Sequence, residues 1–164
     1  MEIKILGPKQ QPAVRAISRR LSKTLEDVYY MFILPSGVYR VKIDKGYIFD
    51  GASIPRLLWS ILGLEPHGVM DGPALFHDYV YQNQGKIPSG HLQILVSGEW
   101  RDCSMEIPRS LADRLLRAFC DYFRVGREDQ EWLVWLGVRI GGWFAWMRDD
   151  VKRKNKIIIK AALN

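Results

Sequence analysis

Two cysteines, Cys103 and Cys120, are all that the 164 residues contain. Two cannot build a disulfide framework, and no Cys-x-x-Cys pair offers a zinc knuckle. A reducing, cytoplasmic compartment is the default for such a chain. The first 25 residues carry charges throughout and no apolar core stretch, so no signal peptide is expected. No internal repeat and no low-complexity segment is present. Residues 132–147, a run whose one charge is Arg139, number 16, short of the roughly 20 that span a bilayer.

The chain does not lack apolar or aromatic residues. Hydrophobic residues make up 48%, with six Trp, seven Tyr and six Phe, so composition excludes a disordered chain. The length suits one domain with a core of its own. The net charge of +6 sits at the ends. Residues 1–24 hold six Lys or Arg against Glu2, a net +5, and residues 149–164 hold five against Asp149 and Asp150, a net +3. The middle therefore carries −2. Basic ends of this kind are solvated tails, or contact nucleic acid or anionic lipid. No nucleic-acid module accompanies them.

Along the chain, residues 1–24 read as a basic N-terminal arm, with a basic helix over residues 12–23. Residues 27–34 and 38–43, joined by Pro35-Ser36-Gly37, predict a β-hairpin. Tyr47-Ile48-Phe49 predicts a third strand. Ser53 and Pro55 open a helix that Gly63 ends. A second helix is expected from Asp71, its N-cap, to about Asn83. Residues 85–106 read as a long irregular connection with a short strand near residues 93–96. A third helix starts at Pro108 and ends by Gly126, with Leu111, Leu115, Ala118, Phe119 and Tyr122 as its buried face. A fourth is expected over residues 128–147. The fold class is thus α+β: a small antiparallel sheet over about residues 27–49, packed against three or four helices. One domain over residues 25–148 lies between the arm and a basic tail over residues 149–164.

Four ionisable groups, Asp50, His77, Asp78 and Asp113, interrupt apolar stretches. Burying several charges is expensive unless they pair or bind a metal, so such a cluster marks a candidate site. His77 and Asp78 are neighbours on a helix and point about 100° apart. Tyr81 shares the face of His77, one turn on. Packed antiparallel, the next helix brings Asp113 to His77. A carboxylate on one ring nitrogen fixes the tautomer and raises the basicity of the other, which suits a water-activating base. Asp78 and Asp50 would hold a cation, calcium or zinc, or a second proton.

A bland reading stands beside this one. A His, Asp and Tyr cluster can be a buried hydrogen-bond network and nothing more. Asp50 before Gly51 suits a turn, Ser53 suits a cap, and Asp113 has Arg109 and Arg117 at helical spacing. Ser53 as a nucleophile is weaker, because Gly51-Ala52-Ser53-Ile54-Pro55 is no Gly-x-Ser-x-Gly elbow. Cys120 reads as inert core, and His67 and His91 as loop residues.

Three segments in order carry a family resemblance: Gly46-Tyr47-Ile48-Phe49-Asp50-Gly51-Ala52-Ser53-Ile54-Pro55-Arg56, then His77-Asp78-Tyr79-Val80-Tyr81, then Arg109-x-x-Ala112-Asp113. This order resembles the phage- and prophage-associated domain of unknown function 1353. Tyr47, Phe49 and Val80 depart from that pattern's Phe, Thr and Leu. A later segment, Val138-Arg139-Ile140-Gly141-Gly142-Trp143, looks like a fourth motif. The resemblance covers roughly residues 28–147 and implies a bacteriophage or prophage origin, in the host cytoplasm or on the virion. It implies no activity. The site is also similar to that of phospholipase A2, where the Asp beside the His holds calcium and a second Asp orients the ring. That family's cysteine framework and glycine-rich calcium loop are missing here.

Trp132, Trp135, Arg139, Trp143 and Trp146 step by three or four residues and form one aromatic face. The run reads first as a core helix and second as a binding surface. Lys152-Arg153-Lys154 follows it, and an aromatic face beside a basic cluster suits a lipid surface.

The leading expectation is a phage-encoded hydrolase acting on a lipid or a cell-envelope ester or amide. His77 and Asp113 would be catalytic, with Tyr81 beside them. The alternative is a non-enzymatic phage protein that binds a phage structural protein or a host factor, its polar cluster structural.

Overall fold

Residues 28–34 alternate between buried and outward positions, and Val28, Tyr30, Phe32 and Leu34 are the buried set. Residues 37–43 do the same with Tyr39, Val41 and Ile43. The two segments pair antiparallel from Val28↔Ile43 to Leu34↔Gly37, which confines the turn to Pro35 and Ser36. Gly37 has φ +148°, and a side chain there would press on Ile94. The expected hairpin is therefore present.

A computed structural model of the chain describes residues 2–18, 21–49 and 70–123. Its elements in order are β1 (Lys4–Gly7), β2 (Val14–Ala16), β3 (Ser22–Thr24), β4 (Val28–Leu34), β5 (Gly37–Ile43), β6 (Ile48–Phe49), α1 (Asp71–Gln82), β7 (Leu92–Val96), β8 (Glu99–Asp102) and α2 (Arg109–Phe123). Five strands form one antiparallel sheet in the order β1-β4-β5-β7-β8, and β2-β3-β6 form another. The class is α+β. Two helices stand among the described residues; the helices expected over residues 53–63 and 128–147 lie outside them. No helix among the described residues is long and apolar enough to cross a membrane.

Three expectations about the strands need correction. The basic helix over residues 12–23 is instead the pair β2 and β3, and β1 joins the main sheet through Lys4↔Ile33 and Ile5↔Phe32. Side-chain bonding ties the end of β3 to the turn before β6: the Thr24 hydroxyl donates to the Asp44 carbonyl at 2.9 Å and accepts from the Tyr47 amide at 2.9 Å. The third strand, β6, does not extend the hairpin but pairs with β3. The expected irregular connection over residues 85–106 contains the full hairpin β7–β8, whose turn residues Ser97 and Gly98 both have positive φ. Such two-residue turns match the twist of paired strands.

α1 is buried from Asp71 to Tyr81, all the way round. A helix buried on every face is a central element, and this places its polar residues in the interior. Its N-cap is Met70, not Asp71, and Met70 makes no side-chain capping bond. The amides that a helix start leaves without intrahelical partners are met from afar: the Gly72 N–H donates to Gln11 Oε1 at 2.8 Å. Tyr30 donates its hydroxyl proton to the Gly72 carbonyl at 2.7 Å. The rings of Tyr30, Phe76 and Phe119 meet at centroid distances of 4.8–5.1 Å and tie sheet, α1 and α2 together.

The exit from α1 fixes where α2 begins. Gly85 has φ +77°, and its carbonyl accepts from the Ile107 amide at 2.9 Å. A Cβ on Gly85 would overlap the Ile107 carbonyl oxygen. This close pass brings Pro108 and the start of α2 beside the end of α1. The buried face of α2 is Ala112, Asp113, Leu115, Leu116, Phe119 and Cys120; Tyr122, expected inside, is exposed.

Candidate active site at the α1–α2 contact

His77 and Tyr81 lie one turn apart on α1, and Arg109 and Asp113 one turn apart on α2. The helices face these pairs toward each other. His77 Nε2 and Asp113 Oδ1 are 3.2 Å apart. The Tyr81 hydroxyl donates to the same carboxylate oxygen. Arg109 Nε donates to the Tyr81 oxygen at 3.3 Å and lies 3.8 Å from Asp113 Oδ2. The His77 and Tyr81 rings lie against each other, 3.9 Å between centroids.

Burial and charge set the protonation states. Burial pushes the His77 ring below its ordinary 6.5, and the pull of Asp113 the other way does not offset it. Burial alone would raise the Asp113 carboxyl, but its bonds from His77 and Tyr81, with the charge of Arg109, hold it below its ordinary 3.8. Burial first, and then the bond to Asp113, raise the Tyr81 hydroxyl, so it keeps its proton and donates it. At neutral pH the set is an ionised Asp113, a neutral His77 and a neutral Tyr81. A carboxylate only accepts, so the neutral ring carries its proton on Nε2 and leaves its lone pair on Nδ1. Nδ1 has no hydrogen-bond partner among the described residues. Such a ring accepts a proton from a water or hydroxyl, and the imidazolium formed lies against Asp113.

The three residues expected to be catalytic, His77, Asp113 and Tyr81, are thus within one bonded set. Asp78 is buried on α1, about 100° around the helix from His77. Asp50, the other expected cation ligand, lies outside the described residues. So do Ser53, His67 and the expected aromatic face of Trp132, Trp135, Arg139, Trp143 and Trp146. Among the described residues no group of three or more His, Cys, Asp or Glu side chains is placed to hold a metal ion. Arg109 is the member that sequence reasoning places only as a partner for Asp113, with no part in the chemistry. Its i, i+4 spacing to Asp113 is the available signal. His91 is a brace elsewhere: its Nδ1 lies 3.1 Å from the Lys42 carbonyl and 2.8 Å from the Tyr79 hydroxyl.

Residues 27–138 match the model of a family described as a protein of unknown function, DUF1353. The chain belongs to that family. The match holds all four residues of the bonded set and ends at Val138, inside the last of the segments that carry the resemblance. Neither the curated proteins nor the solved structures returned a match.

Proposed function

We propose that the protein is a hydrolase of phage or prophage origin in which His77 activates water. Asp113 orients the ring, and Tyr81, held by Arg109, orients Asp113. The observation that carries this reading is the His77–Asp113 bond at 3.2 Å between two helices, with both groups buried and the ring neutral. Asp78, with Asp50, would supply oxygen ligands to calcium or zinc, which would polarise a carbonyl or phosphoryl oxygen. A lipid or a cell-envelope ester or amide is the substrate class such a site serves. The test is hydrolysis of a panel of phospholipids, carboxyl esters and peptidoglycan fragments by the full chain, with and without calcium or zinc. His77→Gln should lower turnover at least about a hundredfold, the usual contribution of a general base. Equal turnover by wild type and His77→Gln would sink the reading.

One observation favours a second reading, a non-enzymatic phage protein that binds a phage or host partner. Asp113 is fully buried and His77 is only 9% exposed, so the set can serve as a brace between α1 and α2. In that case His77→Gln alters stability and leaves no activity to lose. Basic ends and the tryptophan run would then supply the contact with protein, anionic lipid or nucleic acid.

A further inference from the structure

The main sheet has a second face, turned away from α1 and α2. Alternation places Tyr29, Met31, Ile33, Arg40, Leu95 and Trp100 on it, all half-buried or exposed. Trp, Tyr, Met and Arg are the residues enriched at the centres of protein interfaces. Register sets out the charges. Arg40 on β5 pairs with Gln93 on β7, which pairs with Asp102 on β8. Positive, neutral and negative groups therefore follow each other across three strands, with the charges about 10 Å apart. Val38, Leu95 and Trp100 form the adjoining row in the same register.

Among the described residues, only neutral groups hold Arg40 in place. Its Nε and Nη2 donate to Gln93 Oε1, and its guanidinium lies 4.4 Å from the Trp100 ring and 5.3 Å from the Tyr29 ring. Asp102 accepts from Gln93 Nε2 at 3.3 Å and from the Ser89 hydroxyl at 3.4 Å. Among the described residues neither Arg40 nor Asp102 has an ion-pair partner. A uniformly acidic or basic partner would meet a like charge on this face. A reversed copy of the same face would not. Two copies related by a two-fold axis along β7, passing between their faces at Gln93, set each Arg40 opposite the other copy's Asp102. The same axis sets Leu95 on Leu95 and Val38 on Trp100. This is the self-complementarity that an isologous contact requires. The restraint on Arg40 reduces the ordering entropy that binding would otherwise lose.

We propose that this sheet face joins two copies of the chain in a symmetric dimer. The test is sedimentation equilibrium of the full chain across a concentration series at low and high salt. A dimer is expected that weakens with salt, because its pairing is ionic. Arg40→Glu and Asp102→Lys should each weaken association at least about tenfold, since each breaks both symmetric pairs. The double variant should recover to within about threefold of wild type, because it restores opposite charges in exchanged places. Leu95→Arg, at an exposed site on the axis, should also give a monomer and leaves the Arg40 contacts intact if Arg40→Glu fails to fold. Circular dichroism verifies the fold of each variant. A monomer at every concentration overturns the proposal. So does a dimer that Leu95→Arg leaves unmoved, or a double variant no tighter than the weaker single.

Discussion

Replacing Asp113 with alanine removes the acceptor from two buried donors at once. His77 Nε2 and the Tyr81 hydroxyl both bond to Asp113 Oδ1, and Arg109 lies 3.8 Å from the other oxygen. Hydrogen bonds to a charged partner contribute about 1.5–3 kcal/mol each, and losing one side of a buried charge pair costs about 3–5 kcal/mol. The two donors share an acceptor, so their losses do not add in full. Asp113→Ala should therefore lose about 3–5 kcal/mol, a large part of the roughly 5–15 kcal/mol typical of a domain. Asp113→Asn keeps one acceptor oxygen for both donors but gives up the charge and turns an NH2 toward Arg109, and should lose about half as much. Urea unfolding at neutral pH, followed by circular dichroism and fluorescence and extrapolated linearly, measures both. The His77 resonance gives an independent reading. Asp113 is what pulls the ring's proton affinity up against burial, so in Asp113→Asn the ring should titrate below its wild-type value. A loss under about 1 kcal/mol for Asp113→Ala, or a His77 that titrates higher in Asp113→Asn, would refute the geometry on which the site rests.

Stability should fall with acid in two stages. His77 is lowered from 6.5 in the fold, so below that pH the unfolded chain takes up a proton that the folded one resists. Asp113 is lowered from 3.8, so its contribution is present above that value and is lost as pH falls through the folded one. Both act in the same direction, and midpoints of thermal unfolding measured from about pH 8 to about pH 3 should decline only below about 6.5. On the proposed hydrolase reading, turnover needs the neutral ring and should rise with pH to a plateau near or below 6.5. Gly85→Ala should lose at least about 2 kcal/mol in the same urea assay, from positive φ and from backbone contact with Ile107. Gln11→Ala should lose about 1 kcal/mol, as a lost helix cap does, although Gln11 lies 61 positions before its partner. A neutral Gln11→Ala would mean that water serves Gly72 equally well.

Much of the fold and of the site is legible in the sequence. The β4–β5 hairpin announces itself through alternation and Pro35-Ser36-Gly37. The His77–Asp113 pair announces itself because charges inside apolar runs have few ways to be buried. Two of the features that escape share a cause: local pattern names an element but not its partner. Nothing in Ile48-Phe49 says that β3, not β5, will bind it. Nothing near Asp71 says that Gln11 will serve Gly72. The β7–β8 hairpin is different, since Ser97-Gly98 between two β-prone segments is a readable turn signal. The N-terminal strands are hidden by their charge, because Lys and Arg suit an exposed strand edge as well as a helix.

The energetics of the set bear on its purpose. A brace between α1 and α2 needs only shape, and apolar side chains of similar volume fill such a contact with equal or greater stability, because no charge has to be desolvated. The neighbours already follow that rule: Phe76 and Phe119 join the same two helices through ring contact alone. Holding Asp113 ionised in the interior takes a tyrosine, a histidine and an arginine. The outcome of that arrangement is a neutral ring with one nitrogen fixed and the other carrying a lone pair. A brace gains nothing from the lone pair, whereas a base depends on it. That difference is why the contact supports a proton-transfer role over a purely mechanical one.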